Sequence, residues 1–412
     1  MAKYTSVLSQ LLRYIPRSEF QGIVQRHGGD KGVRSLSCWK QFVALFYGQL
    51  TGQHTLRDLV TALSAGIHKL QHVGLTRVRR STLADANSNR PPEIFRELFF
   101  SLYQRCGKQA PSHGFQFRHK LYSLDATVID LCLKVFDWAK FRQRKGAIKL
   151  HLMLDHEGQI PSFCVITPGR EHEIQVARKQ RYEPDSILTF DRGYVDYHWF
   201  DQLHRQGVFF VTRMKKNARH TVLERRRVDK KEGLTSDQTI RMSGSKGECL
   251  STPLRRIGYR DPESKKHYVY LTNLFHLSAQ EIVAIYKARW QIELFFKWIK
   301  QHLKIKSFLG TSPNAVMTQV WVALCVYLLI AYLKFLSKAP WSPYQIFKRL
   351  QVTALEYIDL GQLLAEKPKN ARKGQHKCRQ LNMLGRKVKP LFIGTYAKST
   401  EVLPDCLAVS PL

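Results

Sequence analysis

The chain has 412 residues, 44% of them hydrophobic, which is enough apolar material for two or three domains with sizeable cores. It has 66 lysine and arginine residues but only 32 acidic ones, which gives a formal charge of +34. Such a charge repels itself unless a polyanion neutralises it, so the composition favours DNA or RNA as the partner over a membrane surface.

Residues 1–110 are predicted to be helical. Apolar residues recur every three or four positions in the segments 39–50, 56–65 and 92–105. The first 20 residues contain no unbroken apolar segment of the kind found in signal peptides. We therefore expect this region to form a helical domain of an intracellular protein.

The sequence GLTRVRRSTLADANSNRPP, residues 74–92, is basic and predicts one short helix. Ser81 or Thr82 is a candidate N-cap, and the two prolines at the end of the segment stop the helix. The arginines around this helix are Arg77, Arg79, Arg80 and Arg90. A helix-turn-helix on DNA and an ordinary bundle with a basic rim fit this pattern equally well.

From Leu121 onward the pattern becomes that of an α/β domain. Five strands are predicted at residues 121–131, 147–158, 159–169, 187–190 and 208–213. Asp155 to Gly158 supplies a hairpin turn, and helices are predicted at 172–181 and 196–206. Three meandering strands followed by helix, strand, helix and strand is the order of an RNase H-like domain.

This order brings two acidic residues together. The first and fourth strands are neighbours in such a sheet, so Asp125 and Asp191 are expected to point into one crevice. Strand alternation turns Asp130 to the opposite face. Glu171, Glu173 and Asp185 are interpreted as loop or cap residues.

Residues 214–272 are rich in Lys, Arg, Gly and Ser and contain short β-like segments, which predicts a basic β insertion. Ser278 and Glu281 form a capping-box pattern after it. A buried helix is predicted at 314–336; its longest apolar run, Val320 to Leu333, is too short to cross a bilayer. Residues 337–412 are predicted as a short helical region followed by a basic tail, either solvated or in contact with DNA phosphates.

The segment YKARWQIELFFKWIKQHLK, Tyr286 to Lys304, is predicted as one continuous helix. Most of its circumference is apolar, whereas one stripe carries a phenol, a carboxylate and several cations. The members of this stripe are Tyr286, Arg289, Glu293, Lys297, Lys300 and Lys304. A polar stripe on a buried helix requires a partner or a function.

Asp125, Asp191 and Glu293 are therefore the candidate catalytic residues and metal ligands. Hard divalent cations prefer carboxylates, and Mg²⁺ keeps its remaining positions for water and substrate oxygens. Two such ions about 4 Å apart activate the attacking oxygen and stabilise the leaving one in phosphodiester chemistry. We expect two Mg²⁺ ions here, with Mn²⁺ as a possible substitute.

These residues carry a family resemblance. Tyr286-x₂-Arg289-x₃-Glu293-x₆-Lys300 resembles the signature of the insertion-sequence DDE transposases of the IS-four type. SLDATVIDL around Asp125 and LTFDRGYVDYHWF around Asp191 resemble the two aspartate motifs of that family. The resemblance covers residues 115–335, and the first 110 residues are similar to the family's DNA-binding region only loosely.

The resemblance implies an RNase H-like catalytic domain over 115–336 with the β insertion before the glutamate helix. It implies cleavage at the terminal inverted repeats of an element and joining of the 3′-OH ends to target DNA, in a homodimeric synaptic complex in the prokaryotic cytoplasm. Tyr286, Arg289 and Lys300 would contact DNA phosphates; Lys297, Lys304, Arg79 and Arg80 are further candidates. Some relatives hold a flipped base with a tryptophan of the insertion; residues 214–272 have none, and Tyr259, Tyr268 and Tyr270 remain alternatives.

Three other functions compete with transposition. A nuclease or resolvase of the same fold would cut DNA without joining it. A domesticated DNA-binding protein would have no need of the acidic residues. A basic RNA-associated protein would leave the signature unexplained.

Overall fold

The computed structural model describes residues 5–365, except for 133, 143–144, 244–249, 304, 306 and 339. Lys304 and the predicted basic tail therefore lie outside the described residues. From residue 5 onward, seven α-helices precede the sheet: α1 Val7–Leu12, α2 Arg17–Arg26, α3 Cys38–Thr51, α4 Leu56–Ala65, α5 Ile67–Leu70, α6 Arg80–Asn89 and α7 Glu93–Gly107. The helical character predicted for this region is confirmed.

The short helix of the basic segment is α6, but its cap differs from the prediction. Its N-cap position is Arg79, so neither Ser81 nor Thr82 caps it. Arg90 is buried; it donates hydrogen bonds to Gln41 Oε1 at 2.9 Å and to the carbonyl oxygen of Leu36. Arg90 is thus a structural residue of the helical core, whereas Arg77, Arg79 and Arg80 are exposed.

The sheet has ten strands within the described residues. They are β1 Leu121–Leu131, β2 Lys140–Arg142, β3 Lys145–Asp155, β4 Ile160–Pro168, β5 Ile187–Phe190, β6 Phe209–Arg213, β7 His220–Arg226, β8 Leu234–Met242, β9 Leu254–Arg260 and β10 His267–Thr272. The strand order is β2-β3-β1-β5-β6-β10-β9-β8-β7, and β4 pairs with β3. β1 is antiparallel to β3 and parallel to β5, which is in turn parallel to β6.

Strands β4, β3, β1, β5 and β6 thus have the arrangement that fits an RNase H-like fold. Two helices flank this half of the sheet, α8 Glu173–Arg178 and α9 Tyr197–Arg205. Strand β2 was not predicted. The β insertion is present, and it continues the same sheet because β10 pairs antiparallel with β6.

A buried ion pair stabilises the inserted strands. Arg255 donates to both carboxylate oxygens of Asp237, through Nε at 2.9 Å and Nη2 at 2.7 Å. Arg255 Nη1 also donates to the carbonyl oxygens of Leu274, at 3.3 Å, and Leu277, at 2.5 Å. The pair therefore links β8 and β9 to the loop that follows β10.

The remaining helices are α10 Ala279–Ala288, α11 Trp290–His302, α12 Pro313–Ser337, α13 Pro343–Thr353 and α14 Leu360–Ala365. Ser278 and Glu281 form the predicted capping box of α10. Helix α12 has 25 residues, so its length and composition alone would allow a membrane span, contrary to the estimate from the apolar run. However, 89% of its most apolar window is buried, as expected for a core helix.

Helix α12 lies in one hydrophobic core with the N-terminal helices. The rings of Phe99 on α7 and Trp321 are 5.3 Å apart, and Cys106 Sγ lies 3.7 Å from the Leu328 carbonyl oxygen. The same core includes residues of β1, β3, β4 and α11. The predicted boundary near residue 110 therefore does not separate two independent cores.

Candidate active site

The relative position of Asp125 and Asp191 is determined by the register of two parallel strands. Leu124 of β1 pairs with Phe190 of β5, and each aspartate is the next residue along its chain. Because Leu124 and Phe190 are paired, Asp125, in the middle of β1, and Asp191, directly after β5, lie side by side in the sheet. Asp191 is close enough for its charge to raise the pKa of Asp125.

Asp191 begins a tight turn as well as ending a strand. Its Oδ1 accepts a hydrogen bond from the backbone N–H of Gly193 at 2.7 Å. A Cβ atom added at Gly193 would lie 2.9 Å from that oxygen, so only glycine fits here without displacing the carboxylate. The Gly193 N–H thereby fixes the orientation of Asp191.

The segment from Tyr286 does not form one continuous helix, contrary to the prediction. The chain is divided at Arg289 between α10 and α11. The Arg289 N–H bonds to the Tyr286 carbonyl at 3.2 Å, and the Ile292 N–H bonds to the Arg289 carbonyl at 3.1 Å. Both bonds span three residues rather than four, which tightens the backbone and interrupts the α-helix.

Arg289 connects two of the three candidate acids. Its Nη1 lies 3.1 Å from Asp125 Oδ2 and 3.4 Å from Glu293 Oε1. The side chains of Arg289 and Asp125 are 13% and 15% exposed, whereas that of Glu293 is 40% exposed. The guanidinium therefore bridges a buried carboxylate and a half-exposed one.

The protonation of Asp125 reflects this crowding. Burial, followed by the charges of Glu293 and Asp191, raises the pKa of the Asp125 carboxyl to about 7. The Ala126 N–H, which donates to Oδ1 at 2.8 Å, and the Arg289 guanidinium oppose this rise. The site thus favours added positive charge, whether a proton or a cation.

The remaining residues of the stripe have different surroundings. Tyr286 packs against Tyr270, with ring centroids 5.0 Å apart, and burial raises its pKa. Lys300 Nζ donates to the Val128 carbonyl oxygen at 2.9 Å and to Thr127 Oγ1, both on β1. Lys297 is exposed on α11. No contact between the described residues joins Arg79 or Arg80 to the three acids.

The acidic residues have the right chemistry for a divalent cation. Carboxylate oxygens are the ligands that Mg²⁺ and Mn²⁺ take in proteins, and Asp125 already holds the cationic Arg289. Among the described residues, no three His, Cys, Asp or Glu side chains converge closely enough to form a ready-made metal site. In this conformation the guanidinium lies between the carboxylates instead.

Two side chains near this site were missed in the sequence. Trp290 follows Arg289 and is 59% exposed; the sequence indicated no role for it. Glu173, interpreted as a loop or cap residue, begins α8 close to Asp191.

Tyr259 and Tyr270 are each 1% exposed and offer no free ring face, whereas Tyr268 is partly exposed beneath the Arg213 guanidinium.

Comparison with known families identifies the chain. A family model described as the transposase DDE domain matches residues 116–329, just over half of the sequence. The chain belongs to this family of transposases. A second family model, described as a domain of unknown function, matches residues 3–76 of the helical N-terminal region.

Relatives of the transposase come from several bacteria, and two of the three below are named for insertion sequence elements. Transposase y4zB of Sinorhizobium fredii is 34% identical over 72% of this chain and 83% of its own length. The IS5377 transposase of Geobacillus stearothermophilus is 27% identical over 81% of this chain and 86% of its own. The IS4SA transposase of Synechocystis is 25% identical over 79% and 91%.

The protein is therefore an insertion-sequence DDE transposase, an enzyme that acts on DNA with a divalent metal. The predicted enzyme class and DNA partner are confirmed at this level. The IS-four subtype, the roles of individual residues and the homodimer stay predictions.

Proposed function

We propose that the transposase cuts DNA at the terminal inverted repeats of its element and joins the 3′-OH ends to target DNA, with Asp125, Asp191 and Glu293 as its catalytic carboxylates. The observation that supports this most strongly is the bridge from Arg289 to both Asp125 and Glu293. This bridge holds Asp125 of β1 near Glu293 of α11. The pairing of β1 with β5 places Asp191 beside Asp125.

The three carboxylates would hold two Mg²⁺ ions, or Mn²⁺ in their place. When bound, such ions lower the pKa of an attacking water or hydroxyl and neutralise charge on the phosphate. Asp125 and Asp191 are held by the backbone N–H groups of Ala126 and Gly193, so both are oriented before a ligand arrives. The Glu293 side chain is 40% exposed, against 15% for Asp125, and it can adjust its position as DNA enters.

Arg289 has two functions in this proposal. In the free protein it compensates the clustered negative charge. With DNA bound, its guanidinium would move to the phosphate beside the scissile bond, where planar bidentate contacts are favourable. Tyr286 and Lys300 would contact neighbouring phosphates, and Lys297 and Lys304 would contact DNA outside the site.

The subtype and the assembly are part of the same proposal. The spacing Tyr286, Arg289, Glu293 and Lys300 favours the IS-four type, acting as a homodimer at the nucleoid in the cytoplasm. Residues 1–110, with exposed Arg79 and Arg80 at the start of α6, would bind DNA; residues 115–336 would carry the chemistry, and 337–412 would form a helical region and basic tail.

Cleavage of a terminal-repeat duplex by Glu293→Gln, with Asp130→Asn as control, tests the proposal. Asp130 is an exposed acid of the same β1 strand, facing away from Asp125. We expect Glu293→Gln to lower the cleavage and strand-transfer rates at least about a hundredfold, since a transition-state electrostatic contact is lost. DNA affinity should be retained in both variants. Normal cleavage by Glu293→Gln would exclude Glu293 as a catalytic residue.

A further inference from the structure

Glu173 is an acidic residue beside the candidate site whose two oxygens have different environments. Oε1 lies 3.4 Å from Lys149 Nζ, and the same ammonium donates to the Glu171 carbonyl oxygen at 2.9 Å. The Lys149 side chain is 13% exposed, so this contact is not an ordinary solvated surface pair. Lys149 therefore fixes one oxygen of Glu173 and leaves the other available.

The available oxygen faces Asp191. A Cβ atom placed at Gly193 would lie 3.5 Å from Glu173 Oε2 and 2.9 Å from Asp191 Oδ1. One oxygen of each carboxylate therefore lies beside Gly193. Beside them lies Tyr194, whose pKa is raised chiefly by burial and further by the charges of Asp125, Glu173 and Asp191.

A narrow cleft, with room for about one water molecule, lies on the other side of Glu173, next to Asp125. Asp125, Glu173, Tyr194 and His151 are among the residues that line it. The His151 residue is 3% exposed and bonded through Nε2 to Thr167 Oγ1 at 2.9 Å, while its Nδ1 has no hydrogen-bond partner among the described residues. A buried polar atom without a partner calls for a ligand or water that satisfies it.

We propose that Glu173 is a further carboxylate ligand for the divalent cation held beside Asp191, oriented for this by Lys149. The proposal rests on the proposed function, because it assumes that Asp125 and Asp191 bind the cation. Mg²⁺ keeps several water molecules when bound by only a few carboxylates. One water molecule bound to that ion would fit the cleft and would give His151 Nδ1 the partner that it lacks.

A purely structural interpretation makes a different prediction. If Glu173 only anchored α8 through Lys149, its removal would lower stability without changing cation affinity. Glu171 provides a matched control: it lies two residues earlier, and its Oε1 is 3.6 Å from Lys179 Nζ. Glu171→Gln thus removes a carboxylate that lies near the N-terminus of α8 and that, like Glu173, is paired with a lysine.

The experiment is a titration of the full-length, metal-free protein with Mn²⁺, followed by electron paramagnetic resonance of free Mn²⁺ and by calorimetry. We expect Glu173→Gln to weaken binding of one Mn²⁺ at least about tenfold, and Glu171→Gln to change it less than about twofold. Glu173→Asp keeps the charge but shortens the side chain, so a ligand role predicts weakened binding here too. Thermal melting of each variant checks folding.

Three outcomes overturn the inference: wild-type affinity in Glu173→Gln, equal losses in Glu171→Gln and Glu173→Gln, or full affinity in Glu173→Asp. Full affinity in Glu173→Asp would mean that Mn²⁺ affinity depends on the negative charge of residue 173 and not on direct coordination by its carboxylate. Asp125→Asn and Asp191→Asn separate the two proposals. If they weaken Mn²⁺ binding while Glu173→Gln does not, only the role of Glu173 fails; if neither weakens it, the proposed metal site fails as well.

Discussion

Arg289 and Asp125 are 164 positions apart in the sequence, yet the Arg289 Nη1 lies 3.1 Å from Asp125 Oδ2. The contact joins the break between α10 and α11 to the strand β1. The permanently charged guanidinium of Arg289 thus occupies the position at which a divalent metal ion is expected to bind. Metal binding must therefore displace or outcompete this contact, and a proton on Asp125 competes with it too.

The affinity for divalent cations should consequently depend on pH. The pKa of Asp125 is raised to about 7, so the carboxyl is largely protonated at pH 6 and ionised at pH 8. Because a cation binds only the ionised form, we expect the apparent Mn²⁺ affinity to rise about tenfold from pH 6 to pH 8. Calorimetry at several pH values measures this. In Asp125→Asn the residual binding should lose most of that dependence; an equally steep dependence there would assign it to another group.

Trp290 is expected to stack on a DNA base. Its side chain is 59% exposed and adjoins Arg289, and stacking on an aromatic ring contributes about 1–3 kcal/mol per base. Because bases inside a duplex are already stacked, the probe is terminal-repeat DNA with an unpaired base at its end. Trp290→Ala should weaken its binding about tenfold, with the melting temperature nearly unchanged. Trp290→Phe, which keeps a ring, should recover most of the affinity in a fluorescence anisotropy titration. Equal losses in both variants would argue against stacking.

The buried pair Arg255–Asp237 should be important for stability. Both side chains are 6% exposed, and without Arg255 the buried Asp237 carboxylate keeps only Arg226, whose Nη1 lies 3.4 Å from its Oδ1. We expect Arg255→Met to destabilise the protein by about 3–5 kcal/mol, seen as a lower urea midpoint, and Asp237→Leu in the same chain to restore part of the loss. Arg241→Met, at an exposed position of β8, is the control and should change the midpoint little.

His156 should make stability fall in mild acid. Burial, with a smaller effect of His113, lowers its pKa to about 3, and its Nε2 lies 2.7 Å from Ser123 Oγ. Below pH 6.5 the unfolded chain protonates this imidazole, but the folded chain does not, so acid favours unfolding. Between pH 7.5 and 5.0 the wild type should lose about 2 kcal/mol relative to His156→Gln.

The comparison of the two proteins is essential in that experiment. Burial also raises the pKa of Asp155 to about 6, and this has the opposite effect on stability as the pH falls. Only the difference between wild type and His156→Gln isolates the imidazole. A difference that stays constant with pH would contradict the lowered pKa.

Local patterns predicted much of the catalytic half of the fold. Strand alternation gave β1, β3 and β4, and the spacing of Ser278 and Glu281 gave the start of α10. The proximity of Asp125 and Asp191 followed because the strand order makes β1 and β5 neighbours. These features depend on residues close in sequence or on general rules of sheet topology.

The missed features depend on contacts between distant segments. No proline or glycine marks the break at Arg289, which accompanies the long-range contact with Asp125. The pattern around Glu173 is that of an ordinary helix start; its relation to the site depends on Lys149 from β3 and on the turn at Gly193. Nothing in the residues of the β insertion specifies that β10 pairs with β6.

The position of helix α12 has a consequence for protein synthesis. Cys325 Sγ packs 4.0 Å from the carbonyl oxygen of Phe95, across 230 residues of sequence. At about 5–20 residues per second, a ribosome needs roughly 10–50 s to make that interval. During this time the apolar surfaces of the N-terminal helices lack their main packing partner. The nascent chain should therefore depend on chaperones until α12 emerges, and chains that terminate before residue 313 should aggregate.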